Sequence, residues 1–286
     1  MKLTMNEKKI NFYLNGKLVE ANHNETIWQV SNRLGTEIPH LCHKPADGYR
    51  PDGNCRACMV EIDGERTLAA SCIRYASEGM VIKTESERAT QARNMVLELL
   101  VTDQPSQVDA HDPASTLWHF ANAVEINDSR FTQHTAPQPD SSHPAIAVNM
   151  DACIQCGLCV RACREVQVND VIGLAGRGPN AHIVFDLGDD MGASTCVGCG
   201  ECVEACPTGA LMPKASLDEN GVFANKPDRQ VDSLCPYCGV GCQLTFNIQD
   251  DKILSVDGRP GPANRGRLCV KGRYGFDYIH NKDRLT

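Results

Sequence analysis

The chain has few aromatic residues, no long apolar run and no excess of positive charge. Phe, Trp and Tyr make up 5% of its 286 residues, so a large aromatic core is not expected. No apolar stretch is long enough to cross a membrane, and the start of the chain carries neither a signal-peptide pattern nor a twin-arginine motif. The formal net charge of −8 argues against nucleic acid as a partner. We therefore expect a cytoplasmic chain that binds neither membrane nor nucleic acid.

Cysteine, by contrast, is abundant and regularly spaced. There are 16 cysteines, of which four precede residue 73, eight lie between residues 153 and 206, and four lie between residues 235 and 269. Each count is a multiple of four, so no thiol is left over. A reducing compartment disfavours disulfides and favours metal ligation. We therefore predict that all 16 are metal ligands, and that the cofactors form part of the cores.

The eight central cysteines repeat the spacing C-x2-C-x2-C-x3-C twice. In two-cluster bacterial ferredoxins this run binds [4Fe-4S] clusters, and the fourth Cys of each run ligates the other cluster. The predicted ligands of one cluster are Cys153, Cys156, Cys159 and Cys206. Those of the second are Cys196, Cys199, Cys202 and Cys163. Structural zinc, which also uses CxxC pairs and needs four ligands per ion, is the alternative, and Arg164 stands where ferredoxins have Pro.

The segments before residue 103 predict two strands, a helix, a loop, further strands and a second helix. The Asn15-Gly16 turn predicts a hairpin over 10–21 that places Phe12 opposite Val19. A short helix follows, for which we predict Asn24 as the cap. The other predicted elements are strands at Met59–Ile62 and Met80–Lys83, and a helix over 86–101 whose capping box is Thr84 with Glu87. This order predicts a β-grasp domain over residues 8–102.

The loop of that domain carries the first group of cysteines, Cys42, Cys55, Cys58 and Cys72. Their x12, x2 and x13 spacing differs from the x4 and x2 of plant-type ferredoxins. It resembles the [2Fe-2S] domain that opens the large iron–sulfur subunit of respiratory complex I and its relatives. The resemblance implies one [2Fe-2S] cluster on these four thiols. A zinc knuckle is the alternative, and His40 and His43, which flank Cys42, are predicted to be loop residues rather than ligands.

Residues 103–144 are predicted to form a helical segment and a linker. In the complex I relatives, a His and three Cys of this region bind a further [4Fe-4S] cluster. Here the region contains histidines but no cysteine, so that cluster is predicted to be absent. We predict a helix over 115–124, a linker over 132–144 because of its Pro, Ser and His content, and a solvated His111. Between the two central runs, the glycines of 173–178 predict turn structure, followed by a strand over 182–187.

The last group of cysteines is Cys235, Cys238, Cys242 and Cys269, spaced x2, x3 and x26. Between the third and fourth, alternating residues predict a hairpin of strands 244–248 and 252–256. The spacing resembles the N-terminal [4Fe-4S] domain of the molybdopterin-guanine-dinucleotide oxidoreductases. The resemblance implies a third [4Fe-4S] cluster and places Lys271 between that cluster and the pterin. A surface lysine in a glycine-rich turn is the alternative for Lys271.

Together these features predict a multi-domain α+β chain. The predicted parts are a β-grasp [2Fe-2S] domain (8–102), a helical segment and linker (103–144), a diferredoxin domain (145–215) and a small β-rich [4Fe-4S] domain (229–286). In this order they resemble the first third of the α subunit of soluble NAD-dependent formate dehydrogenases, through the motifs Ala-Cys-Ile-Gln-Cys, Cys-Pro-Thr-Gly-Ala-Leu-Met and Leu-Cys-Pro-Tyr-Cys-Gly-Val-Gly-Cys.

That resemblance implies formate oxidation at molybdenum or tungsten on a bis-molybdopterin guanine dinucleotide. Electrons would pass through the four clusters to a diaphorase-type partner that carries FMN, a [2Fe-2S] cluster and an NAD site. The chain ends at Thr286, where the pterin domain of that family begins, so we expect no catalytic residue here and no activity from this chain alone. The alternative is a separate ferredoxin-like electron-transfer subunit of a hydrogenase or another NAD-linked redox complex.

Overall fold

The computed structural model describes residues 9–224 and 226–285 of the chain. These residues form two compact units. The first comprises residues 9–44, 50–102 and 119–132, and the second comprises 45–49, 103–118, 133–224 and 226–285. Short helices and strands occur throughout the described residues, so the predicted mixture of helix and strand is confirmed. The boundaries of the four predicted domains stay predictions.

The first unit is built on a five-stranded sheet with the order β2-β1-β5-β3-β4. Strands β1 and β5 are parallel and the other neighbours are antiparallel. The strands are β1 (Ile10–Leu14), β2 (Lys17–Ala21), β3 (Met59–Ile62), β4 (Ala69–Ala70) and β5 (Val81–Lys83). The helices are α1 (Ile27–Arg33) and α2 (Glu87–Val101). Phe12 pairs with Val19 across the β1–β2 hairpin, as predicted.

The core of this unit includes cysteines of the first group. Phe12, Ile27 and Ile82 are fully buried there, together with Cys58 and Cys72. Apolar side chains of this size contribute about 1.5–3 kcal/mol each when they are fully buried. The thiols are therefore positioned by the same packing that forms the sheet.

Both predicted helix caps in this unit are wrong by two residues. Thr26, not Asn24, caps α1, and its hydroxyl accepts a hydrogen bond from the third helical N–H at 3.2 Å. Ser86, not Thr84, caps α2 in the same way. Thr84 lies two residues before the cap position, and its hydroxyl instead accepts a 2.7 Å hydrogen bond from Asn15 in the hairpin turn.

The second unit contains three small sheets and several short helices. α3 (Thr116–Ala123), which confirms the predicted helix over 115–124, contributes residues to both units. The remaining elements are β6 (Ile146–Val148), α4 (Leu158–Arg161), β7 (Ile172–Ala175), β8 (His182–Phe185), α5 (Glu201–Ala205), β9 (Leu211–Pro213), β10 (Arg229–Leu234), β11 (Gln243–Gln249), β12 (Lys252–Gly258) and α6 (Val270–Tyr274). The sheets pair β6 with β9, β7 with β8, and β10 with β11 and β12.

The predicted hairpin in the C-terminal part is confirmed as β11 and β12. Asp250 and Asp251 form its turn, and both have positive φ, a conformation that Asp tolerates better than most residues. Strand β10, which sequence analysis did not predict, adds a third strand to this sheet.

Two other predictions for this unit are corrected. The glycine-rich segment 173–178 is not wholly a turn, because its first residues belong to β7 and pair with β8. His111 is not solvated. Its ring nitrogens lie 2.8 Å from the Gly221 carbonyl and 2.9 Å from the Asp151 carboxylate, and the hydrogen bond to Asp151 raises the pKa of His111.

Candidate metal centres

The four thiols of the first group lie beside one another. Cys58 Sγ is 3.4 Å from Cys72 Sγ, and the Cys55 N–H donates to Cys42 Sγ at 3.5 Å. The side chains of Cys55 and Cys72 also hydrogen-bond to Cys42. Three of the four are buried and Cys55 is half-buried. The structure therefore brings together the complete predicted set.

Hydrogen bonds among the thiols of the first group shift their pKa values in opposite directions. Hydrogen bonds from Cys55 and then Cys72 lower the pKa of Cys42 to about 2. The same contacts raise the pKa of Cys55 and of Cys72, since these thiols act as the donors. One thiolate is thus stabilised by its neighbours, whereas four adjacent thiolates would need a cation among them.

The two histidines beside this group pack against a tryptophan that sequence analysis did not single out. The Trp28 ring lies 4.5 Å from the ring of His40 and 4.7 Å from that of His43, edge to face in both cases. Trp28 Nε1 donates to the Ile38 carbonyl at 3.1 Å. Burial lowers the pKa of His40. The prediction that these histidines are not ligands stays a prediction.

The eight central cysteines separate into two sets, each of which lines its own cavity. The first central set is Cys153, Cys156, Cys159 and Cys206. The second central set is Cys163, Cys196, Cys199 and Cys202. Each set combines three thiols of one run with the fourth thiol of the other run. The predicted ligand sets require this arrangement, in which the fourth cysteine of each run joins the set of the other run.

Turn geometry directs backbone N–H groups at these sulfur atoms. Gly157 and Gly200 precede α4 and α5 with φ of 74° and 72°, a region that glycine adopts without strain. Three N–H groups donate to sulfur, those of Gln155 to Cys153 at 3.4 Å, Val171 to Cys163 at 3.3 Å and Gly198 to Cys196 at 3.4 Å. Hydrogen bonds of this kind to ligand sulfur are among the factors that set the potential of an iron–sulfur cluster.

Burial affects the ionisation of the third cysteine of each run. It raises the pKa of Cys159 and of Cys202 well above the usual value, with neighbouring thiolates adding to the effect. Both thiols are therefore harder to ionise than an exposed cysteine. A metal centre would therefore release protons as it binds.

The last group is less enclosed than the others. Cys238 and Cys269 are exposed, and Cys235 and Cys242 are half-buried against Leu244 and its neighbours. The Cys235 N–H donates to the Cys242 carbonyl at 2.8 Å, which closes the loop. Burial raises the pKa of Cys242, and the other three thiolates of the group raise it further. The other three members therefore lie near enough to Cys242 for their charges to act on it.

Helix α6 begins immediately after the last cysteine of this group. Cys269 is its N-terminal cap residue, and Lys271 lies in its first turn with an exposed side chain. A Cβ atom on Gly272 would lie 3.6 Å from Cys235 Sγ, so the helix runs close to the group. Lys271 is thus beside the last group, but its proposed role as a conduit is not tested by this placement.

An ion pair between α5 and α6, formed by a buried Arg273 and a half-buried Glu204, was missed by sequence analysis. Arg273 is 4% exposed, and its Nη1 lies 2.6 Å from Glu204 Oε1. Its Nε donates to the Cys199 carbonyl at 2.9 Å. No local sequence pattern indicates this pair, because its two residues lie 69 positions apart.

A second buried contact also escaped prediction. The Tyr49 hydroxyl donates to Glu201 Oε1 at 2.7 Å, and both side chains are buried. Burial and the Glu201 charge raise the pKa of Tyr49. This contact positions the start of α5 close to Cys199 and Cys202.

In residues 9–224 and 226–285, no three His, Cys, Asp or Glu side chains converge closely enough to hold a single metal ion. In the same part of the chain, no helix is both long enough and apolar enough to cross a lipid bilayer.

Three parts of the chain match known domain families. Residues 7–87 match the 2Fe-2S iron-sulfur cluster binding domain. Residues 149–210 match the 4Fe-4S dicluster domain. Residues 228–281 match the molybdopterin oxidoreductase Fe4S4 domain. The three matches contain all 16 cysteines, and their order is the order of the three groups described above.

Several longer proteins are similar over almost the whole chain. An NADH-quinone oxidoreductase G subunit of Rhizobium meliloti (strain 1021) is 32% identical over 93% of this chain and 31% of its own length. The Bacillus subtilis (strain 168) protein named "Putative formate dehydrogenase YrhE" is 28% identical over 99% of this chain and 33% of its own. The chain thus spans about a third of the length of these curated relatives.

A solved structure is also similar. A chain of the NAD+-reducing [NiFe]-hydrogenase in the H2-reduced state superposes with a TM-score of 0.64 and 28% identity, over 72% of this chain and 88% of that one. The chain is thus similar, in its iron–sulfur domains and over about a third of their length, to NADH-quinone oxidoreductase G subunits and to a putative formate dehydrogenase.

Proposed function

We propose that this chain is the electron relay of a formate dehydrogenase-type enzyme and holds one [2Fe-2S] and three [4Fe-4S] clusters. The observation that carries the proposal is the grouping of all 16 cysteines into four sets of four, in the order of the matched domains. The first group would hold the [2Fe-2S] cluster, and the two central sets and the last group would each hold a [4Fe-4S] cluster. The fit is supported by the cavities that the two central sets line.

When bound, such clusters accept and release one electron at a time. The residues of this chain would hold them, exclude water and adjust their potentials. The N–H groups that donate to Cys153, Cys163 and Cys196 favour the reduced state. The net charge of −8 acts in the opposite direction. These opposing influences would give the sites different potentials.

The finer proposal concerns the substrate and the partners. We propose that formate is oxidised at a molybdenum or tungsten bis-molybdopterin guanine dinucleotide in a following pterin domain, and that Lys271 lies between that pterin and the last group. The match of residues 228–281 to the molybdopterin oxidoreductase Fe4S4 domain supports this. Electrons would leave to FMN- and NAD-binding partner subunits in the cytoplasm. The absence of a catalytic residue in this chain, and of membrane and nucleic-acid partners, stays a prediction.

The alternative is a separate electron-transfer subunit of a hydrogenase or another NAD-linked complex. The structural similarity to an NAD+-reducing hydrogenase chain favours it. The last group and its domain match favour the formate dehydrogenase-type enzyme.

Metal analysis of the chain purified without oxygen tests the relay directly. We expect about fourteen iron atoms per chain with matching acid-labile sulfide, from one two-iron and three four-iron centres. Zinc is the control measurement, since zinc bound at each of the four sites would amount to about four ions per chain. Stoichiometric zinc with little iron would contradict the proposal.

The exchange of ligands between the central runs predicts which cluster each variant loses. Cys163→Ser should remove the cluster of the second central set, and Cys206→Ser should remove that of the first central set, with about four iron atoms lost in each case. Electron paramagnetic resonance spectra of the reduced variants should therefore lack different signals. Loss of the same signal in both variants would show that the ligands are assigned wrongly.

The proposed role of Lys271 is tested in the complete enzyme. Lys271→Ala should slow electron transfer from the pterin while leaving the iron content unchanged, because the side chain is exposed. Lys252→Ala, an exposed lysine on β12, is the matched control. If Lys271→Ala turns over as fast as the control, Lys271 has no role in electron transfer from the pterin.

A further inference from the structure

Arg273 connects the last group to the second central set through a short chain of hydrogen bonds. Its backbone N–H donates to the carbonyl of Cys269 at 3.0 Å. Its side-chain Nε donates to the carbonyl of Cys199 at 2.9 Å. One residue therefore contacts the main chain of a cysteine in each of two neighbouring sites.

The loop of the second central set leaves room for this side chain. A Cβ atom on Gly200 would collide with Arg273, coming within 2.6 Å of Nε, and would approach Tyr274 Oη to 2.7 Å. On Gly198 it would lie 3.2 Å from Val270 Cγ2. Glycine at these two positions allows α6 to lie directly on the loop that carries Cys199.

The guanidinium is anchored on its other side by Glu204 in α5. Nη1 lies 2.6 Å from Glu204 Oε1, and it also donates to the Val256 carbonyl at 3.3 Å. Glu204 accepts a further hydrogen bond from the Gly258 N–H at 3.2 Å. A forked guanidinium can make these contacts together, whereas an ammonium at the end of a flexible chain cannot reproduce that geometry.

The contact also places a buried positive charge beside a cysteine of the second central set. Arg273 is 4% exposed and stays protonated at all working pH values. Charge near an iron–sulfur site and hydrogen bonding around it are two of the influences that set its potential.

We propose that Arg273 is a positioning residue for electron exchange between the last group and the second central set. This inference rests on the proposed function. One electron leaves the reduced centre at one site and enters the oxidised centre at the other, without a change in covalent bonds or protonation. Arg273 fixes α6 against the Cys199 loop and supplies the hydrogen-bonded connection between the two sites.

The test compares three variants of the chain, loaded with iron and sulfide without oxygen. Arg273→Lys keeps the positive charge but loses the forked guanidinium, and Arg273→Gln loses both the charge and the guanidinium. Arg265→Gln is the matched control, because Arg265 is exposed and precedes Cys269 by four residues, as Arg273 follows it by four. A photoreduced flavin delivers one electron, and rapid freezing with electron paramagnetic resonance follows its redistribution between the two sites. Potentiometric titration gives the midpoint potentials.

We expect both Arg273 variants to keep the iron content of the unmodified chain and to redistribute the electron at least tenfold more slowly. Arg273→Gln should also lower the midpoint potential of the second central set, by about 59 mV for a tenfold change in a one-electron equilibrium. Arg273→Lys should retain most of that potential. Arg265→Gln should match the unmodified chain in both measurements.

Unchanged redistribution in fully loaded Arg273→Lys and Arg273→Gln would overturn the inference. Failure of both variants to load iron, with normal loading of Arg265→Gln, would also overturn it by showing a purely structural role. If the unmodified chain itself binds no iron–sulfur cluster, the proposed function is wrong. That result is distinct from a failure of the inference about Arg273, which requires a loaded chain.

Discussion

The gathering of four thiols at one site is the constraint on which the rest of the structure depends. Buried thiols resist ionisation, as the raised pKa values of Cys159 and Cys202 show. Four thiolates together at one site become favourable only when a cation lies among them. Formation of the metal centres and folding of the loops around them are therefore expected to be coupled. With few aromatic residues in the chain, bound clusters would supply part of the stability that a larger apolar core would otherwise provide.

The sites are linked by contacts that reach from one cysteine loop to the next. In the central part, Cys163 and Cys206 each cross from their own run to the other set, so neither set is complete without both runs. Between the second central set and the last group, α5 and α6 are joined by Glu204 and Arg273. These connections determine how the neighbouring sites lie relative to each other within the second unit, and under the proposed function that geometry would govern electron transfer between them.

The cysteine sets were predictable because ligand spacing is a local property of the sequence. The contacts that surround them were not, because they join distant residues. Tyr49 and Glu201 are 152 positions apart, and Arg273 and Glu204 are 69 apart. The cap of α1 failed for a different reason, because a local signal was overlooked. Thr26 and Gln29 form a capping box, in which the Thr26 N–H donates to Gln29 Oε1 at 2.8 Å.

The central claim is that each of the four cysteine sets binds iron. Diffraction from a crystal of the chain grown without oxygen, recorded on both sides of the iron absorption edge, would locate the metal directly. The account predicts four separate iron peaks, one within each set of four sulfur atoms and none elsewhere. Peaks at the zinc edge instead, or cysteine sulfur atoms without any metal between them, would contradict it.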